Sequence, residues 1–544
     1  MRKTILKIFR KYQGEIIISA IYIFFSLINW GKTYDIALWD FGREVYIPQY
    51  MHKGYLLYKD IFNIFGPLSY QINFYITSVF GNNLNVFFSI GLLAGIVCSI
   101  FVYKIIRQFM EYKAALITAN CVILFYFVAF NKFNIPYSYA AVFAQMGSLI
   151  SINYFLKFIN KQNDKGLYIS FIFLGFSLAN KYEYVVYGLA SVVYIFLRFP
   201  NKLVKTLLAT FFIPTISILE LFIRGVKPND LYRNSLLVIK YAESPSLKNM
   251  YSISASFIPN LGKEIEAFIL FICTFTIIYS FGVIIKKLKS DRDPNFIGIL
   301  KNIAYVILLI ASTAICLAAS NHNYAYLPLL ILGYLINTVI SKNFNKDLIL
   351  SWLLIAGITT STKGFFVTTH YYAPFLILIA MIVFLILIYK EALKYKLSSS
   401  QATLIIAYLI IPVFLYYQYS FYTTTKEPLK TKKGVIYLRT DEFNQYTNLQ
   451  NQISFIDKPN DLLIIPDGLF FSYILDLNTN INLEFMFMPP YMDAVGQYEV
   501  IKMLKTSNIK TIVIINRHPD MYFKPIFLRI QNLAQDTDKW YLGI

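Results

Sequence analysis

The sequence predicts an α-helical polytopic membrane protein of about thirteen transmembrane helices, followed by a small C-terminal α/β domain. Three observations predict it. Of 544 residues, 57% are hydrophobic and only 15% are charged, where a soluble chain carries roughly 25% charged residues. The mean hydropathy of +0.53 comes from apolar runs that approach the roughly 20 residues a membrane span needs. Finally, Lys and Arg gather in alternate loops, as they do on the cytoplasmic side of membrane proteins.

The candidate spans are centred near residues 23, 95, 122, 148, 174, 191, 214, 274, 308, 331, 355, 381 and 410, with those near 174 and 355 short or interrupted. The basic clusters run from Arg2, Lys3, Lys7, Arg10 and Lys11 through Lys104, Arg107 and Lys113 to Lys157, Lys161 and Lys165. They continue with Arg198, Lys202 and Lys205, then Lys286, Lys287, Lys289 and Arg292, then Lys342 and Lys346, and end at Lys390, Lys394 and Lys396. Clusters on alternate loops place the N-terminus inside and the C-terminal region outside. The formal charge of +20 is then topology and attraction to anionic lipid. A nucleic-acid partner is disfavoured, because no basic run lies on a soluble portion. No small-residue cleavage site follows the first apolar run, so it reads as a retained span. Cys98, Cys121, Cys273 and Cys316 all fall inside spans, and His52, His322, His370 and His518 are scattered. There is no disulfide framework and no zinc spacing.

Three outer segments are too polar or too long to be turns. In the first, about 32–83, Pro67 suits a first helical position and Gly81 a helix stop. Between them Leu68, Ile72, Tyr75, Ile76, Val79 and Phe80 recur at helical spacing, opposite Ser69, Gln71, Asn73, Thr77 and Ser78. A helix too short to span but striped in this way lies along the membrane interface. Residues 43–53 read as a second such helix interrupted by Pro48. The second segment, about 226–262, is polar and rich in Ser, Asn and Tyr. The third begins near 421 and carries two short apolar strands, 461–466 and 510–515, with a helical pattern over 494–507 between them. That is the signature of a small α/β unit. The chain therefore divides into 1–420, the membrane module, and 421–544, an extracytoplasmic domain.

The first outer loop holds the chemistry. Trp39-Asp40-Phe41-Gly42-Arg43-Glu44 follows the first span, and then come Gly54, Leu57-Tyr58-Lys59-Asp60, Gly66-Pro67-Leu68 and Phe80-Gly81. A carboxylate amid polar and aromatic groups at the mouth of a helix bundle is a reaction-site layout. In this order of motifs the chain resembles the bacterial integral-membrane glycosyltransferases of the GT-C fold class, of the dolichyl-phosphate-mannose-protein mannosyltransferase and aminoarabinose-transferase type. Asn180-Lys181-Tyr182-Glu183 and Thr369-His370-Tyr371-Tyr372-Ala373-Pro374 resemble further segments of that family. The resemblance is motif-specific over about 40–82, topological over 1–420 and only architectural beyond. Two departures stand out: Asp40 is followed by Phe41 with the Glu delayed to position 44, and Pro48 falls in a stretch that is usually helical.

The resemblance implies inverting transfer of a sugar from a polyprenyl-phosphate-linked donor to a lipid, glycan or protein acceptor at the outer face of the plasma membrane. Such a reaction needs a base for the acceptor hydroxyl, cations for the departing phosphate and a groove for the prenyl tail. Asp40 is the expected base, with Asp60 and Glu44 as further catalytic candidates. Arg43, Lys59, Lys181, Glu183, Lys240, Lys363 and His370 are the expected substrate- and phosphate-binding residues. Plainer readings exist: Asp40 as a loop acid paired with Arg43, Lys181 as a snorkelling lysine, His370 as an interfacial residue. No cofactor is expected, and dependence on a divalent metal stays open. Two alternatives carry through. A glycan polymerase or ligase would place its charged outer loop late in the chain, whereas here the rich loop is the first. A lipid-linked-sugar flippase or transporter would show mid-span charges and paired broken helices; Glu220 is the only clear acid deep in a span.

Overall fold

The computed structural model describes residues 11–33, 35–130, 133–136, 138–246, 331–336, 339, 347–361, 373–394, 396–454, 462–465, 468–477, 489–507, 509, 511–514 and 540–543. The described chain is mostly helical. From the N-terminal side it runs α1 (Gln13–Ile28), α2 (Asp35–His52), α3 (Leu68–Phe80), α4 (Leu84–Ile106) and α5 (Tyr112–Ile123), which continues as a π-helical turn over Leu124–Phe130. Next come α6 (Tyr139–Lys161), α7 (Asp164–Asn180), α8 (Val185–Arg198), α9 (Leu203–Ile223) and α10 (Pro228–Glu243). After the span centres near 274 and 308, which lie outside the described residues, follow α11 (Leu348–Thr360), α12 (Ala373–Lys394) and α13 (Ser399–Thr424). Among the described residues four helices are long and apolar enough to cross a membrane: Leu84–Ile106, Tyr139–Lys161, Pro200–Ile223 and Ser399–Thr424. Gln13–Ile28, Tyr112–Val128 and Leu348–Thr360 are shorter apolar helices.

Local chemistry sets the helix ends. Asn83 accepts from the Val86 N–H at 3.1 Å to start α4, Asp347 does the same for Leu350 at 3.1 Å in α11, and Ser398 with Gln401 forms a capping box on α13. The stretch 43–53 differs from expectation. Pro48 lies inside α2 without ending it, and Asp40, Arg43 and Glu44 all precede it on that helix. A proline in a helix interior removes one backbone bond, and here the helix is backed by tertiary packing instead.

α3 runs as expected from just after Pro67 to just before Gly81, whose φ of +89° takes the chain out of the helix. Its faces are informative. Ser69, Gln71, Asn73 and Thr77 are buried, whereas Tyr75, Val79 and Phe80 are exposed. The polar face turns to the protein and the apolar face turns away, the reverse of a soluble protein and the arrangement a lipid surround demands. Gln71 Nε2 reaches Glu220 Oε2 at 2.5 Å and the Ser217 carbonyl at 2.8 Å, and Tyr75 Oη reaches Glu220 Oε1 at 2.7 Å. Arg224 Nη1 closes the group at 3.6 Å from Glu220. These bonds tie α3 to α9. Between α7 and α9 the backbones come so close that a Cβ on Gly175 would sit 1.9 Å from the Thr210 carbonyl oxygen, the small-residue contact by which membrane helices pack.

Beyond α13 the chain forms an antiparallel hairpin, β1 (Thr425–Thr431) with β2 (Gly434–Arg439), which the sequence reading did not foresee. Helix α14 (Thr440–Ser454) follows. The expected strands are present as β3 (Leu462–Ile465) and β4 (Thr511–Ile514), paired in parallel, with β5 (Trp540–Gly543) parallel on the far side of β4. The helical pattern between them splits at Gly496, φ +95°, into α16 (Pro489–Val495) and α17 (Gln497–Thr506), after the short α15 (Leu469–Ile474).

This terminal part buttresses α2. Phe41 packs 6.2 Å, ring to ring, from Phe470. Tyr46 Oη donates to the Leu477 carbonyl at 3.1 Å, and Gln49 Nε2 to Asp476 Oδ1 at 3.1 Å. A Cβ on Gly42 would lie 2.5 Å from the Phe470 backbone nitrogen, so only glycine permits the contact. Gly42→Ala should therefore cost about 1–3 kcal/mol through overpacking, read as a lowered unfolding midpoint in detergent. Gly333→Ala, with nothing within 4 Å, is the control and should leave the midpoint in place.

Candidate active site

Helix α2 puts Asp40, Arg43 and Glu44 on one side, at spacings of three and four residues that bring side chains together. Arg43 Nη2 stands 3.1 Å from Asp40 Oδ1 and its Nε 4.0 Å from Glu44 Oε1. The two acids differ sharply in access: the Asp40 side chain is 29% exposed, while Glu44 is fully buried. The Arg43 side chain is 9% exposed, and its Nε makes no hydrogen bond among the described residues. The guanidinium as a whole is flanked by Asp40, Glu44 and Tyr70.

Glu44 is held from three directions. Ser138 Oγ donates to its Oε1 at 3.1 Å and Tyr70 Oη at 3.4 Å, and the Tyr139 backbone adds a further hydrogen bond. Burial nevertheless pushes its carboxyl up to about 7, against the pull of Arg43 and these bonds. Burial, with the nearby Glu44, also holds the Tyr70 phenol well above its ordinary value, so Tyr70 stays a proton donor. Burial opposes the charge on Arg43, but Tyr70, Asp40 and Glu44 outweigh it and keep the guanidinium charged.

The Phe65-Gly66-Pro67 turn brings in a second cation. Phe65 has its ring centre 4.5 Å from the Arg43 guanidinium carbon and 5.3 Å from Lys181 Nζ. Gly66 N–H donates to the Asn180 carbonyl at 3.3 Å, and a Cβ there would lie 2.0 Å from the Ala179 oxygen. The end of α7 and the start of α3 are thus seated on each other. Lys181, 5% exposed, pairs with Glu183 at 3.4 Å. Tyr491, from α16, closes the far side: its ring meets Phe62 at 5.5 Å and Tyr241 at 4.6 Å, and its phenol is near enough to act on the Arg43 charge.

Of the expected residues, Arg43 and Lys181 stand over Phe65, with Asp40 and Glu44 beside Arg43 and Glu183 beside Lys181. The Asp60 Oδ2 accepts from the Leu56 N–H at 2.8 Å and closes the turn in which Tyr58 takes a φ of +70°. Lys59 and Lys240 are exposed. Lys363 and His370 lie outside the described residues. Phe65, Tyr70, Ser138 and Tyr491 were missed. Phe65 and Tyr70 flank the recognised Gly-Pro motif and were within reach, whereas Ser138 and Tyr491 arrive only through tertiary packing. Among the described residues no group of three or more His, Cys, Asp or Glu is placed to hold a metal ion.

No curated protein matches the chain in sequence. Among solved structures, the oligosaccharyltransferase of Archaeoglobus fulgidus in complex with zinc and sulfate is similar at 11% identity and a TM-score of 0.46, covering 86% of this chain and 62% of that one. Its apo form gives 12%, 0.47, 87% and 65%. The archaeal oligosaccharyltransferase AglB of Archaeoglobus fulgidus, with an inhibitory peptide and a dolichol-phosphate, gives 11%, 0.44, 87% and 64%. The chain thus spans less than two thirds of their length, and likeness at this level carries no conclusion about activity. A family model does match: that of the dolichyl-phosphate-mannose-protein mannosyltransferases, over residues 66–220. The match takes in α3, Lys181 and Glu183 and begins beyond Asp40. Over 66–220 the chain therefore matches the dolichyl-phosphate-mannose-protein mannosyltransferase family, the one its first-loop motifs resemble.

Proposed function

We propose that this protein is an integral-membrane glycosyltransferase that moves a sugar from a polyprenyl-phosphate-linked donor to a hydroxyl acceptor at the outer face of the plasma membrane. The observation that carries the reading is the pairing of a partly exposed carboxylate, Asp40, with a buried arginine whose Nε has no hydrogen-bond partner among the described residues. The family match over 66–220 supports it from the other half of the site.

Asp40 takes the proton of the acceptor hydroxyl as that oxygen attacks the anomeric carbon. The bond from that carbon to the phosphate oxygen breaks on the opposite face, and the phosphate leaves with the electron pair, so the configuration inverts. Arg43 and Lys181 stabilise the charge that grows on the phosphate. Glu44 does not reach substrate, since it is buried behind Arg43; it holds the guanidinium in place. Asp60 shapes the loop and Glu183 orients Lys181. The part from 421 onward backs the helix that bears the base and, through Tyr491, walls the site; its placement outside the membrane belongs to the same proposal. The acceptor is a lipid, a glycan or a protein.

Two measurements test this. In membranes supplied with a labelled polyprenyl-phosphate sugar, Asp40→Asn should lower turnover by about a hundredfold or more, the scale of a lost general base, at normal expression. Near-native turnover would remove Asp40 from the chemistry. The second concerns Glu44, whose carboxyl sits at about 7 in the fold against an ordinary 4.5. Between these values the folded state holds the proton more tightly than the unfolded state, so stability is full below the window and falls as pH rises through it. The contribution is on the order of 3 kcal/mol. The unfolding midpoint of the wild type should drop from pH 5 to pH 7 relative to Glu44→Gln, and equal slopes for the two would rule out a buried, proton-holding Glu44.

A further inference from the structure

We propose that Phe65 is a positioning residue that seats the two buried cations of the site on one aromatic ring, so that Arg43 and Lys181 converge on a single phosphate. The inference rests on the reading that these cations take the donor's phosphate, and goes beyond it by assigning what holds them together.

Two like charges brought out of water repel each other, and each loses its hydration. Asp40 at 3.1 Å and Glu44 at 4.0 Å act on Arg43, and Glu183 at 3.4 Å acts on Lys181. A further carboxylate between the cations would neutralise them and compete with an incoming anion. A phenyl ring avoids that conflict. Its electron-rich faces attract cations without contributing a negative charge that would repel phosphate. Phe65 lies 4.5 Å from one cation and 5.3 Å from the other, within the range of that attraction.

The ring is also anchored more firmly than ordinary packing requires. The Phe65 carbonyl accepts from Tyr58 Oη at 2.6 Å and from Asn63 Nδ2 at 2.8 Å, and the Phe65 N–H donates to Asn63 Oδ1 at 3.3 Å. Asn63 is in turn clasped by Asn234 of α10, which donates to the Asn63 carbonyl at 2.8 Å and accepts from its N–H at 3.2 Å. On the other side Gly66 is bonded to Asn180, the residue before Lys181. The main chain bearing the ring is therefore fixed between the first loop, α10 and the end of α7. The ligand class is a prenyl phosphate.

The test measures binding of farnesyl phosphate and of farnesol to the full-length protein in detergent, for wild type, F65L, F65Y and F65W, with thermal unfolding of each as a folding check. F65M replaces F65L should the latter not fold. The expected result is that wild type prefers farnesyl phosphate to farnesol, that F65L loses about tenfold of that preference with farnesol binding unchanged, and that F65Y and F65W keep it. An unchanged preference in F65L overturns the role of Phe65 and leaves the phosphate reading standing. Equal losses for farnesol and its phosphate, or no retention by F65Y and F65W, reduce the ring to packing and also overturn the proposal. A wild type that does not distinguish the two ligands overturns both readings at once.

Discussion

The cation at Arg43 is the constraint from which the rest of the site follows. A guanidinium only 9% exposed persists because Asp40, Glu44 and Tyr70 act on it together and the Phe65 ring lies against it. Breaking a buried pair by removing one member costs about 3–5 kcal/mol, so each of these neighbours is held by the charge it serves. Ser138 and Tyr70 are in turn recruited to satisfy Glu44. One charge thus organises residues from α2, α3, the start of α6 and the end of α7.

The lipid surround explains the second regularity. In water, α3 would bury Ile72, Val79 and Phe80 and expose its serines and asparagines. Here Ser69, Gln71, Asn73 and Thr77 are inside, and Gln71 and Tyr75 use their polar ends to fasten Glu220 of α9. An acid near the end of a span is affordable where a tyrosine, a glutamine and Arg224 all reach it. That accounts for the Glu220 that stood out in the sequence without invoking transport.

Legibility followed the range of the interaction. The stripe of α3, its Pro67 start and its Gly81 stop are local, and they were readable to within a residue. Asp40, Arg43 and Glu44 were singled out by the order of the first-loop motifs; that they share one side of a helix was not legible, because Pro48 suggested a break that packing against Phe470 and Leu477 overrides. Lys59, named within the Leu57–Asp60 motif, and Lys240, named for its place in the second outer segment, are both exposed. The Asp60 carboxylate closes a turn on Leu56, and a spacing of four residues within a loop has no helical period to reveal that. Ser138 and Tyr491 left no local mark, because each reaches the site only through the fold. The hairpin after α13 escaped for a different reason: β1 carries Lys426, Pro428 and Lys430 with little apolar alternation, and β2 is a run of only six residues.

The contact between Gly42 and Phe470 joins an early part of the chain to a late one. A ribosome makes the helix bearing Asp40 long before it makes the residues that brace it. Until α15 has emerged, that helix has a proline in its interior and lacks the Phe470 contact, although Phe87, Phe88 and Tyr139 already pack on Phe41. The bracing of this helix is therefore completed only after the apolar helices that precede α15 in the chain have been made.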